Sequence, residues 1–109
     1  MTGFSKQVRD LVLKRADGRC EKCGMFTDVL QLHHRRARGM GSTRRPESNQ
    51  PSNAAAICPP CHTHIESRRA DALFQGWLVR QEKSPAETPV FRWGQWVLLR
   101  DDGGVEVRA

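Results

Sequence analysis

The residues able to do chemistry fall into two sets interleaved along the chain. Cys20 and Cys23 form one C-x2-C pair, and Cys58 and Cys61 form a second. Each pair offers two sulfurs at the bite that tetrahedral zinc takes, and four thiolates complete its coordination. Four protein ligands leave no position for a substrate, so this set is expected to hold a structural Zn²⁺ that lends stability. The alternative is thiols that stay reduced or pair as disulfides, and short spacing in a reducing compartment favours the metal.

In the second set, the stretch LHH puts His33 and His34 side by side. Neighbouring side chains on a strand leave it on opposite faces, so the two imidazoles are expected to do different jobs. His62 follows Cys61 directly, and on a helix His62 and Glu66 lie at i and i+4, close enough to share an ion. With His33 facing them from a strand, three ligands with open positions make the kind of site a catalytic metal needs. His34 is then free to accept a proton near neutral pH. Asn53 either orients that imidazole or holds the loop backbone, and its plainer alternative is an ordinary turn residue. Glu66 has the plainer alternative of a salt bridge with Arg69. His64, only two positions from His62, lies well around the helix and is the weaker candidate for third ligand.

These residues must be carried on a small scaffold. The 109 residues with 38% hydrophobic content fit one domain, with a core over about 16–76 and an extension over about 77–109. A formal charge of +6 points to a polyanionic partner. The opening MTGFSKQVRDLVLKR breaks into charge before any apolar signal core forms, and no run reaches transmembrane length, so a soluble, cytoplasmic protein without membrane contact is expected.

Val8, Leu11, Val12 and Ala16 make a helical stripe within residues 5–17, capped by Ser5 and stopped by Gly18, and the stripe is expected to pack on the first cysteine knuckle. A short strand is expected over 29–34 and a second over 54–57, joined by a long aperiodic loop that contains residues 35–52. The second C-x2-C runs into a helix that starts near Pro60 and stops at Gly76. Residues 95–100 and 105–107 read as a hairpin turned by DDGG. The tryptophans at 77, 93 and 96 are expected to bury one another against it, with stacking on bases as the alternative.

The order C-x2-C, LHH, Asn53 and CPPCH, with a ligand one helical turn later, resembles the HNH endonuclease family of the ββα-metal superfamily over roughly residues 16–67. HHRRARGM and the tail resemble, more loosely, small phage-encoded HNH proteins. The resemblance implies an α+β fold: a ββα-metal (HNH) core with a four-cysteine zinc knuckle pair, an N-terminal helix and a C-terminal β-hairpin. It implies His33 as a metal ligand, His34 as general base, Asn53 as the motif asparagine and His62 as the motif's final histidine. Many members carry a further His where this chain has Glu66, and a carboxylate suits Mg²⁺ or Mn²⁺, with Zn²⁺ or Ni²⁺ as other candidates.

The activity implied is metal-dependent hydrolysis of DNA phosphodiester bonds, leaving 5′-phosphate and 3′-hydroxyl ends. Arg35, Arg36, Arg38, Arg44 and Arg45, with no acidic residue among them, are expected to grip the DNA backbone and so position it without reading sequence. A phage origin would add terminase or packaging proteins as partners and a bacterial host cytoplasm as location. The alternative function is a zinc-stabilised DNA-binding or adaptor module without catalysis.

Overall fold

The computed structural model describes residues 3–37 and 46–108. Helix α1 spans Lys6–Ala16, capped at its start by Ser5, whose hydroxyl accepts from the Val8 amide. It ends at Asp17 and Gly18, both with positive φ, which turn the chain into the first knuckle. Val12 and Ala16 are buried, whereas Leu11 remains 37% exposed, so the stripe is narrower than its sequence implies.

Strands β1, Gln31–His34, and β2, Ala54–Ile57, pair antiparallel with His33 opposite Ala55 and His34 opposite Ala54. β1 starts two residues later than the pattern suggests, and Val29 lies exposed before it. All four residues of β2 are buried. Ala54 and Ala56 pack with Val12 and Ala16 of α1, while Ala55 and Ile57 join Ile65, Ala72, Trp77 and the cysteines on the other face. Side chains this small let helices approach both faces of one strand. The α1 stripe therefore packs on β2, not on the knuckle that follows it.

The expected single second helix is two: α2, Pro59–Ser67, and α3, Arg69–Gln75, broken at Arg68, whose φ of −126° and ψ of 61° leave the helical region. Gly76 stops α3 at φ +86°, where a Cβ would run into the Pro89 carbonyl oxygen and Val90. The expected C-terminal hairpin is present as β4, Gln95–Leu99, and β5, Val105–Val107, and a further strand, β3, Val90–Arg92, pairs with β4 to make a three-stranded meander. Trp93 and Gly94, both at positive φ, make the two-residue turn between β3 and β4. The expected aperiodic loop contains two short 3-10 turns, at Pro46–Asn49 and Pro51–Asn53. The described residues thus form an α+β fold with three helices and two small sheets. No helix among the described residues is long and apolar enough to cross a membrane.

A buried ion network joins the parts. Glu21, fully buried, accepts from Arg15 Nε and Nη2 at 2.8 and 2.7 Å, from Arg92 Nε at 2.9 Å and from the Ala56 amide at 3.0 Å. Arg15 also donates to the carbonyls of Pro51 and Ala54, and Arg92 to that of Arg15. One carboxylate therefore holds α1, β2 and β3 to the knuckle. Burial pushes the Glu21 carboxyl up, but the two guanidiniums outweigh it and hold it below the ordinary carboxylate value.

Candidate metal centre and histidine site

The sulfurs of Cys20, Cys23, Cys58 and Cys61 all lie within 4.8 Å of one another, and none is in a disulfide. A tetrahedral zinc with Zn–S near 2.3 Å separates its sulfurs by about 3.8 Å. Cys23 and Cys58 Sγ are 3.8 Å apart. The four cysteines are thus placed to hold one metal ion, and their donor set suits zinc.

Local structure explains the placement. Gly24, at φ +79°, closes the first knuckle by donating to the Cys20 carbonyl at 2.9 Å, and the Cys20 amide donates to Met25. Cys58 is the N-cap of α2 and Cys61 lies in its first turn, so two of the sulfurs sit at the positive end of a helix. The amides of Cys23 and Cys58 point at Cys20 Sγ from 3.5 and 3.4 Å. Burial pushes the Cys20 thiol up, yet these amide bonds together bring it down to about 7, while burial raises Cys58 and Cys61. A bound cation removes this conflict by favouring all four thiolates.

Trp93 secures the knuckle, and nothing local in the sequence announces it. Its indole N–H donates to the Cys20 carbonyl at 2.9 Å, and its ring lies between the guanidiniums of Arg19 and Arg92, at 4.1 and 3.7 Å. These contacts hold a non-glycine residue at φ +50°. Trp77 is buried in the core, as expected, whereas Trp96 lies half-buried beside Phe74 and Phe91.

His33 and His34 leave β1 on opposite faces. His33 is buried on the α2 side, with the His62 ring edge-on at 5.7 Å between centroids. Its Nε2 is 2.8 Å from the Trp77 carbonyl oxygen. A carbonyl only accepts, so Nε2 carries the proton and the lone pair of the neutral ring sits on Nδ1. Burial pushes this imidazole down, with His62 and His34 adding to the effect and the Trp77 carbonyl and the Glu66 charge opposing it. His34 turns to the α1 side, where Phe4 stacks on it at 4.1 Å and 17° and Asn49 Oδ1 lies 3.0 Å from Nε2.

The other expected site residues divide. Glu66 and His64 are both exposed, and Glu66 accepts from Arg69 at 3.3 Å. Among the described residues, the four cysteines alone bring three or more ligand atoms together, so His33, His62 and Glu66 are neighbours without converging. Asn53 is fully buried and holds backbone: it accepts from the Arg36 amide at 2.7 Å and donates to the carbonyls of Arg36 and Ser48 at 3.1 and 2.9 Å. It thereby ties the chain leaving β1 to the chain entering β2, and its amide bonds no imidazole.

Arg35 and Arg36 are not the surface cations expected of them. Arg35 is fully buried and donates to the carbonyls of Gly76, Ser52, Pro85 and Thr88 at 2.7–3.1 Å. Burial, with Arg15 adding to it, brings its guanidinium down to about 9. Arg36 is buried too, donating to the Lys83 carbonyl at 2.7 Å and to Glu47 at 3.2 Å. Arg35 forks into backbone carbonyls and Arg36 into a carbonyl and the Glu47 carboxylate, and neither is presented to a phosphate. Arg38, Arg44 and Arg45 lie outside the described residues. The chain matches no family model, no curated protein and no solved structure.

Proposed function

We propose that this chain is a metal-dependent HNH endonuclease that hydrolyses DNA phosphodiester bonds. The observation that carries the proposal is the His33–His62 pair. One ring comes from a strand and the other from a helix anchored by two of the cysteines. The fixed Nε2–H of His33 leaves its Nδ1 as a lone-pair donor. Glu66, one turn beyond His62, is the third ligand in this scheme and exchanges Arg69 for the ion. That exposed pair is cheap to break.

A divalent ion held by His33, His62 and Glu66, Mg²⁺ or Mn²⁺ by the nature of the carboxylate, would supply Lewis-acid stabilisation of the charge that builds on the phosphate and on the leaving 3′ oxygen. His34 takes the proton of the attacking water. Phe4 and Asn49 hold its ring in one plane at the end of β1. Asn53 keeps the segment behind His34 in place through its three backbone bonds. The four-cysteine site, with zinc bound, fixes the start of α2 and with it His62. The products carry 5′-phosphate and 3′-hydroxyl ends. The looser likeness to phage-encoded proteins extends the proposal to DNA packaging, with terminase components as partners.

The second function, a zinc-stabilised DNA-binding or adaptor module without catalysis, is favoured by one observation: Glu66 is paired with Arg69, and the three expected ligands do not converge. Incubating supercoiled plasmid with zinc-loaded protein and Mg²⁺ or Mn²⁺ separates the two. The nuclease converts plasmid to nicked or linear form and the module leaves it supercoiled.

A further inference from the structure

Two clefts away from the cysteines share one wall, the side chain of Leu73 on α3. The first, of about 330 Å³, carries Arg69 and Arg80 against the single carboxylate of Glu82. The second, of about 350 Å³, is aromatic, with Phe74 and Trp96 in its wall and Arg108 at its edge. The Trp96 ring stands 6.1 Å from Phe74 at 84° and 5.3 Å from Phe91, its partner across β3 and β4. Phe74 is 77% exposed.

Among the described residues, ion pairs hold Arg15, Arg36, Arg68, Arg69, Arg92 and Arg100 but neither Arg80 nor Arg108. Arg69 has only its exposed 3.3 Å contact with Glu66 to exchange. Exposed aromatic faces beside available guanidiniums are the chemistry that stacks unpaired bases and pairs with their phosphates. A duplex cannot use the aromatic half, because its bases already stack on one another and offer only their edges in the grooves.

We propose that the two clefts form one track for single-stranded DNA, with phosphates at Arg69, Arg80 and Arg108 and unpaired bases on Trp96 and Phe74. The track rests on the reading that the partner is DNA, and it is independent of cleavage. It would make the preferred target a fork, flap or single-stranded end, with the duplex beyond Arg69 toward Glu66 and the unpaired strand running across Leu73 to Trp96.

The test uses full-length zinc-loaded protein without added Mg²⁺ or Mn²⁺, a fluorescein-labelled short oligothymidine, and a blunt duplex of equal length. Each base stacked on an aromatic side chain contributes about 1–3 kcal/mol, so Trp96→Ala is expected to weaken oligothymidine binding by roughly 5- to 150-fold. Trp96→Phe retains most of the affinity, and duplex binding changes little in either variant. Arg80→Ala and Arg108→Ala each flatten the salt dependence by about 0.7 in log–log slope. Both positions are exposed, so these two variants keep the test valid should Trp96→Ala fold poorly.

Oligothymidine should quench tryptophan emission in the parent and not in Trp96→Phe, because Trp77 is buried and Trp93 is covered by Arg19 and Arg92. Equal losses on duplex and single strand, or no loss on oligothymidine, would overturn the proposal. So would a dimer in sedimentation that Trp96→Ala dissolves, since a second copy would then occupy the aromatic face. Oligothymidine binding that depends on Trp96, in a protein that never cuts plasmid, sinks the nuclease and leaves the track. Cleavage without such binding does the reverse.

Discussion

Glu21→Gln is expected to be among the most damaging single changes to the fold, although Glu21 belongs to neither set of metal ligands. The substitution keeps the volume and removes the charge. Arg15 and Arg92, whose side chains are 1% and 8% exposed, are left as buried cations facing a neutral amide. Depriving a buried ion of its partner costs about 3–5 kcal/mol, a large part of the roughly 5–15 kcal/mol that stabilises a typical domain. At roughly 4–8 °C per kcal/mol, Tm should fall by at least about 12 °C. The assay is thermal or urea unfolding of parent and variant at equal free Zn²⁺, because bound metal itself raises apparent stability.

The same residue carries a pH signature. Its folded carboxyl lies below the ordinary value of 4.5, so its contribution is fully present above that value and is lost as pH falls through the lower folded value. Parent and Glu21→Gln should therefore converge in stability in acid, diverge as pH rises toward 4.5, and keep a constant difference above about pH 5. A loss under about 1 kcal/mol at neutral pH, the scale of an exposed pair, would refute the assignment of this network as the joint between knuckle, helix and sheets.

Other outcomes follow from the same packing. Arg35→Met strands the carbonyl oxygens of Gly76, Ser52 and Thr88 inside the protein and is expected to cost at least about 3 kcal/mol by chemical denaturation, whereas a phosphate-gripping arginine would alter the salt slope of DNA binding and leave stability alone. Gly76→Ala should lower Tm markedly, since a side chain there meets the Pro89 backbone at a positive φ; an unchanged melting curve would contradict the contact. Chelation should release one Zn²⁺ per chain, read with a chromogenic indicator, and abolish cooperative unfolding; Cys23→Ser should lower zinc affinity by several orders of magnitude.

Local signals were legible where the chain acts locally. Ser5 and the Asp17–Gly18 stop mark α1, Gly76 ends α3, and DDGG turns β4 into β5, because caps and turns draw their hydrogen bonds from residues a few positions away. The two C-x2-C pairs announce their own convergence, since metal chemistry has few spacings. Strand alternation likewise foretells that His33 and His34 part company.

Long-range satisfaction was not legible. Arg35 looks like a surface cation beside Arg36, yet its carbonyl partners lie 17 to 53 residues away and exist only once the chain is folded. Glu21 meets Arg92 across 71 residues, so no window on the sequence reveals the pair. β3 is three residues long, too short for a periodic signal, and forms because β4 lies beside it after the Trp93–Gly94 turn. Asn53 was half legible: its place before β2 is plain, but its bonds to Arg36 and Ser48 depend on how the segment after β1 folds back.

The most direct measurement of the proposed catalysis is plasmid cleavage by His34→Ala beside the parent, in Mg²⁺ and in Mn²⁺, with zinc content and melting temperature measured on the same samples. The parent should nick or linearise the plasmid, and EDTA should stop it. The variant, with zinc retained and the fold intact, should lose at least about a hundredfold in rate, the scale of a missing general base. A parent that cuts with neither ion, or a His34→Ala variant that cuts as fast as the parent, would contradict the proposed chemistry.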